Sequence, residues 1–203
     1  MYINPFNRHD DPTEIQSFVQ QNNFAILVSQ VDGRPWATHI PMMLGQNQEG
    51  QSVLSTHVAR ANPQWRSLEG QEVMVIFAGP NAYISSSWYD HENVPTWNYT
   101  AVHAYGQVRI LEGDALVESI SQLVNHHEQH SERPVSVEGM TPAFFKRELR
   151  ALVGLEILVT EFQSVRKLSQ NRDDHNHSQI VDQLEKRGDA GSVAIAEEMK
   201  TRK

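Results

Sequence analysis

Four short clusters hold the residues able to grip a charged, partly aromatic ligand. The first is Ser55-Thr56-His57 with Arg60 and Asn62, where a strand gives way to a turn. Hydroxyls, an imidazole and a guanidinium gathered at such a junction suit a phosphate or a carboxylate. The second, Tyr83-Ile84-Ser85-Ser86-Ser87-Trp88-Tyr89, offers hydroxyls to an anion and aromatic faces to a ring. Pro95-Thr96-Trp97-Asn98-Tyr99 adds further ring surface, and Lys167-Leu168-Ser169-Gln170-Asn171 is polar apart from its leucine. Plainer readings exist: a cap with surface salt bridges for the first cluster, a solvated linker for the fourth.

The second and third clusters lie in one stretch, Gly79–Gly106, which holds two of the four tryptophans and four of the five tyrosines. Apolar strands flank it at Glu72–Ala78 and Ala101–Leu111. An aromatic, hydroxyl-rich loop between buried strands is a common lining for a flat polar ligand. The alternative is a surface loop that plugs the end of a barrel.

The histidines say less. His126 and His130 are four apart on an expected helix, but no HExxH spacing is present and no carboxylate or cysteine set completes a metal site. A solvated or partly packed helix end is the preferred reading. His175 and His177 are less specific still. No acid–base pair or nucleophile stands out in the loop, so no catalytic residue is nominated.

The elements that must position these clusters follow from periodicity. Asp11, Pro12 and Glu14 form a helix start, with Ile15, Phe18 and Val19 on one face. Phe24–Gln30 and Arg34–Ile40 read as a hairpin turned at Asp32-Gly33. Further strands are expected at Ser52–His57, at Glu72–Phe77 (apolar enough for burial on both faces), at Ala101–Leu111 and at Leu152–Phe162. Helices are expected from Asp114 to about His130, near the end of Pro134–Arg150, and around Ile180–Leu184 up to Gly188. The fold class is therefore mainly β, a barrel core with peripheral helices. It divides into residues 1–165 and a C-terminal polar link with a helical segment, 166–203. Neither GxGxxG nor GxxxxGK[ST] occurs.

Composition narrows the function classes. The 203 residues include no cysteine, which excludes disulfides, thiolate metal sites and cysteine nucleophiles and fits a reducing cytoplasm. No apolar run approaches the ~20 residues of a membrane span, and Met1–Asp11 is unlike a signal peptide. The net charge of −8 opposes a nucleic-acid backbone. Residues 1–163 carry 9 basic and 18 acidic side chains, residues 164–203 carry 8 and 7, so only the C-terminal segment is near neutral.

The segments HVARANPQW, GPNAYISSSWY, VPTWNYTAVHAYG and KLSQN, in this order, resemble the FMN-binding negative transcriptional regulator family, the PaiB-like proteins. The resemblance runs from the MYINPF start through KLSQN. That family is similar in fold to the split-barrel flavoproteins, among them pyridoxamine-phosphate oxidases and flavin reductases. It implies a dimeric split β-barrel with FMN at the interface of a homodimer. Carried over, it places His57, Arg60 and Asn62 near the FMN phosphate or ribityl chain. It places Ser85, Ser87 and Trp88, then Trp97, Asn98 and Tyr99, near the cofactor, with Lys167 and Gln170 as closing contacts. One departure is visible: the family usually has Ile-Ser-Pro-Ser-Trp-Tyr in the second motif, and Ser86 stands in place of that proline, removing a φ constraint. The family name implies a repressor, yet no helix-turn-helix is recognisable. Direct DNA binding is doubtful, and an indirect effect through a small molecule is the other route. An FMN-dependent oxidoreductase activity and a haem-binding relative complete the readings.

Overall fold

A computed structural model describes residues 1–201 and contains seven strands and five α-helices among them. The chain opens with a short 3-10 turn and helix α1 (Pro12–Gln21), capped as the sequence suggests: the Thr13 and Glu14 amides donate to Asp11 Oδ1 at 2.9 and 3.0 Å. Strands β1 (Phe24–Val31) and β2 (Arg34–Pro41) form the expected hairpin, with Asp32 and Gly33 both at positive φ (51° and 75°). That pair of left-handed residues is what a two-residue hairpin turn matched to the strand twist requires.

Strands β3 (Met43–Gln46), β4 (Ser52–Ala59), β5 (Glu72–Ile84), β6 (Thr96–Leu111) and β7 (Leu152–Lys167) complete one sheet, ordered β2-β1-β5-β6-β7-β4-β3. The registered pairings β1–β2, β1–β5, β3–β4 and β4–β7 are antiparallel. Helices α2 (Gly113–Glu128) and α3 (Pro142–Arg150) fall between β6 and β7, and α4 (Asp174–Arg187) and α5 (Ala190–Lys200) follow β7. The mainly β fold with peripheral helices is thus the one observed.

Three strands are longer than their apolar runs imply. β5 continues through Gly79-Pro80 to Ile84, β6 starts at Thr96, and β7 continues to Lys167. The extension of β5 keeps the period of two beneath its turn-forming residues: Ala82 and Ile84 are buried while Asn81 and Tyr83 are exposed. Gly79 is needed there because a Cβ would meet the hydroxyl of Thr100 and lie 2.7 Å from the Phe18 ring. In the first part of β5, Val73, Val75 and Phe77 are buried but Met74 and Ile76 only half-buried, so this strand is not buried on both faces. β3 is a short edge strand without an expected counterpart among the strands above; its Met43 and Leu44 are only half-buried and give a weak signal.

The chain forms two compact units, each built from separated segments. One comprises Met1–Phe18, Ala78–His103 and Gln163 onward; the other comprises Val19–Phe77 and Ala104–Phe162. In the first, α4 and α5 supply Ile180, Val181, Leu184, Ile195, Ala196 and Met199 to a core shared with Ala82, Ile84, Tyr89 and Leu168. In the second, Leu116 and Ile120 of α2 meet Leu111 and Val137.

Candidate functional site

In the unit holding residues 78–103, the loop proper is only Ser85–Pro95, between β5 and β6. Ser85 caps a single 3-10 turn, Ser86–Trp88, its Oγ accepting from the Ser87 amide at 3.2 Å. The Ser85 and Ser87 hydroxyls lie 2.8 Å apart and remain on the exposed side. Trp88 turns inward against the helical core, and the Arg187 guanidinium lies 4.7 Å from its ring centroid. Tyr89 is buried, and its hydroxyl has no hydrogen-bond partner among the described residues. Next to it, Asp90 Oδ1 accepts from Asn176 Nδ2 at 2.9 Å and pairs with His91 Nδ1 at 2.7 Å. Those bonds, the one from Asn176 foremost, hold the Asp90 carboxyl below the usual carboxylate range.

Strand β6 then presents two chemically different faces. Asn98, Thr100 and Val102 are almost wholly buried, whereas Trp97 is 53% exposed and Tyr99, Ala101 and His103 are half-buried. With alternation, Trp97, Tyr99 and His103 share one side of the strand. Tyr83 of β5 meets Trp97 edge-on, centroids 5.9 Å apart. His103 has an Nδ1 buried without a partner among the described residues, and burial, followed by the charge of the N-terminal ammonium, pushes its pKa down. The imidazole is therefore neutral at pH 7.

Asn98 and Gln170, both expected near a cofactor, have their side-chain amides engaged in the protein. Asn98 Nδ2 donates to Ser169 Oγ at 3.0 Å and to Met199 Sδ at 3.5 Å. Gln170 clips its own turn: Oε1 accepts from the Leu168 amide at 2.7 Å and Nε2 donates to the Arg166 carbonyl. Between them Ser169 is buried at φ 59°, a left-handed conformation that is costly for a residue with a Cβ. Lys167 Nζ is bonded to Thr96 Oγ1. The KLSQN segment is thus a structured turn fixed to the start of β6, and no solvated linker.

The first cluster lies in the other unit. His57, on β4 opposite Gly154 of β7, has a buried Nδ1 with no partner among the described residues, and burial lowers its pKa. Arg60 Nε and Nη2 donate to the carbonyls of Arg150 and Leu152 at 2.8 and 2.9 Å, and the guanidinium lies 5.7 Å from the Trp65 ring centroid. Two bonds leave most of the five guanidinium donors for a ligand. Asn62 Oδ1 caps the 3-10 turn Pro63–Ser67 through the Gln64 amide, and its Nδ2 donates to Thr38 Oγ1 at 3.0 Å. Gln64, fully buried, joins Thr38 and Ser29.

Against known proteins, residues 1–161 match the family described as "Putative FMN-binding domain". The chain belongs to that FMN-binding family. A relative spanning nearly the whole family member is the protease synthase and sporulation protein PAI 2 of Bacillus subtilis, 41% identical over 201 residues, 98% of this chain and 96% of the relative. Among solved structures, similarity extends to the FAD and haem binding protein of Mycobacterium smegmatis, with TM-score 0.61 at 15% identity over 85% of this chain and 78% of that one. The flavocytochrome Anf3 of Azotobacter vinelandii gives 0.59 at 15% identity over 87% and 78%. These likenesses establish a mainly β fold shared with flavoproteins. The cofactor that family membership implies is FMN, and the donor set fits it: exposed hydroxyls at Ser85 and Ser87, ring faces at Trp97 and Tyr83, an ammonium at Lys167, and a neutral His103 with an unpartnered nitrogen.

Sequence reasoning named Tyr83 in the second cluster but left it out of the cofactor contacts, and it missed His103, Asn176 and Arg187. The first two carry a signal, because His103 continues the Trp97–Tyr99 alternation and Tyr83 that of Asn81. The last two carry none, since their contacts with the loop join residues about ninety to a hundred positions apart.

Proposed function

We propose that this protein binds FMN as a homodimer, with the isoalloxazine ring against the exposed aromatic side of β6 and any effect on transcription exerted indirectly through the bound flavin or its substrate. The observation that carries the reading is the face of Trp97, Tyr99 and His103 with Tyr83 beside it, in a chain whose first 161 residues match an FMN-binding domain. Ser85 and Ser87 suit hydrogen bonds along the ribityl chain. His57, Arg60 and Asn62 suit the phosphate, with Arg60 as the main counter-charge. Asn98 and Gln170, bonded within the protein, are assigned the support of the turn that carries Lys167. FMN supplies redox chemistry when bound, and the protein supplies orientation and electrostatics.

Direct repression is disfavoured by charge. The near-neutral C-terminal segment places α4 and α5 on the core through their apolar faces, and α5 carries Glu197 and Glu198. The name of the PAI 2 relative associates it with sporulation, which an indirect route accommodates.

The test is an absorbance spectrum of the purified protein before and after adding FMN, with Arg60→Ala and Trp97→Ala alongside. Flavin uptake by wild type, weakened in both variants, supports the reading. A wild type that stays colourless at high micromolar FMN overturns it, and a Soret band assigns haem instead.

A further inference from the structure

Helix α4 lies beyond the residues matched by the FMN-binding family, yet it touches the aromatic loop at both ends. At its first turn, Asp173 caps the helix by accepting from the Asn176 amide at 2.9 Å, and the 2%-exposed Asn176 faces the loop. Asn176 exchanges two bonds with Asp90: the Asp90 amide donates to Asn176 Oδ1 at 3.1 Å, and Asn176 Nδ2 donates back to Asp90 Oδ1. At its last turn, Arg187 Nη2 donates to the Tyr83 carbonyl at 2.6 Å while its guanidinium lies over Trp88. Arg172, just before the helix, lies 5.1 Å from the Tyr89 ring centroid.

We propose that α4 is a rigid two-ended latch that positions the Ser85–Trp88 turn, with Asn176 and Arg187 as its positioning residues. The proposal rests on the flavin reading above for its functional consequence, though not for its mechanics. Asn176 and Arg187 are about 16 Å apart along a helix. The segment from Tyr83 to Asp90 could extend about 24 Å if unconstrained. Fixing both of its ends to one rod removes most of that freedom, and the ordering is done before a ligand arrives. A turn of three consecutive serines, with no proline in it, needs such an external constraint more than most.

A core-filling role for α4 belongs to Ile180, Val181 and Leu184 and is separable from the latch, because Arg187 is exposed and its truncation opens no cavity. The test therefore uses Arg187→Ala and Arg187→Lys in the full chain. Amide hydrogen exchange over Ser85–Pro95 is followed without flavin, and FMN affinity and the visible circular dichroism of bound FMN are followed with it. Expected is exchange about tenfold faster across the loop in Arg187→Ala, with the exchange of β1 and β4 unchanged. FMN should bind about tenfold more weakly with an altered dichroic band, and Arg187→Lys should lie between, since lysine keeps the charge but lacks the planar fork. Unchanged loop exchange in Arg187→Ala overturns the latch. Faster exchange with unaltered FMN affinity and dichroism overturns its positioning role. If wild type takes up no FMN, the flavin reading falls, while the exchange data alone still judge the latch.

Discussion

Replacing Ser86 with proline should stabilise the protein. Ser86 opens the 3-10 turn Ser86–Trp88, the position where a fixed φ near −65° is already suitable. A proline also restricts the residue before it to extended conformations, and Ser85 is already there at φ −75°, ψ 140°. The bonds that define the turn come from the Ser87, Trp88 and Tyr89 amides, so the amide that proline removes is not among them. Restricting the unfolded chain without straining the folded one is worth about 0.4–1 kcal/mol. For a chain of this size that raises the melting midpoint by roughly 1–4 °C. Differential scanning calorimetry of Ser86→Pro against wild type measures it, and FMN affinity should hold or improve as the turn stiffens. A loss of more than about 1 kcal/mol would refute the reasoning, because it would mean that the backbone at residue 86 is not that of a first turn residue.

Gly79→Ala should destabilise by about 1–3 kcal/mol in urea unfolding, because its new methyl meets Thr100 and Phe18. Asn98→Ala strips the support from a left-handed Ser169 and leaves a buried hydroxyl short of its partner, a loss of about 1–3 kcal/mol. His57 and His103 both have lowered pKa values, so the unfolded chain binds their protons first. Their contribution is therefore neutral above about pH 6.5, and stability falls as pH drops through that value towards the lower folded pKa values. A pH series of melting midpoints should show this decline, flattened in the His57→Gln, His103→Gln double variant. Gel mobility with duplex DNA at low salt should show no retention, and retention that fades steeply with salt would restore direct repression.

Much of the scaffold was legible in local pattern. The Asp32-Gly33 hairpin, the Asp11 cap and the amphipathic stripe of α2 each depend on a few adjacent residues. So does the end of α4, at Gly188. The extended reach of β5 and β6 was not, because Gly79, Pro80, Asn81 and Asn98 carry turn propensity that sheet pairing overrides. At the candidate site, residue types pointed to the aromatic and hydroxyl clusters but not to orientation. Asn98 and Tyr99 are neighbours with the same claim on a ligand by chemistry, and alternation sends one into the core and leaves the other half-exposed. Gln170 likewise looks available in sequence, yet its amide is used by the backbone of its own turn. The grip of Asn176 and Arg187 had no local signature at all, since nothing in their flanking sequence distinguishes a latch from an ordinary polar helix face.

That last failure bears on the question of regulation. Two helices joined by Gly188-Asp189 at the near-neutral end of an acidic chain are the one place where a DNA-reading element could be sought. Each has a competing commitment: α4 buries an apolar stripe and holds the aromatic loop, and α5 buries Ile195, Ala196 and Met199. The charge left on α5 is the wrong sign for a phosphate backbone, because Lys200 is paired with both Glu185 and Glu197. Freeing either helix to enter a groove would expose the core around Tyr89, and freeing α4 would also release the turn that carries Trp88. The segment that composition alone marks as a nucleic-acid candidate is, in the folded chain, packed on the core beneath the aromatic loop and bonded to that loop through Asn176 and Arg187.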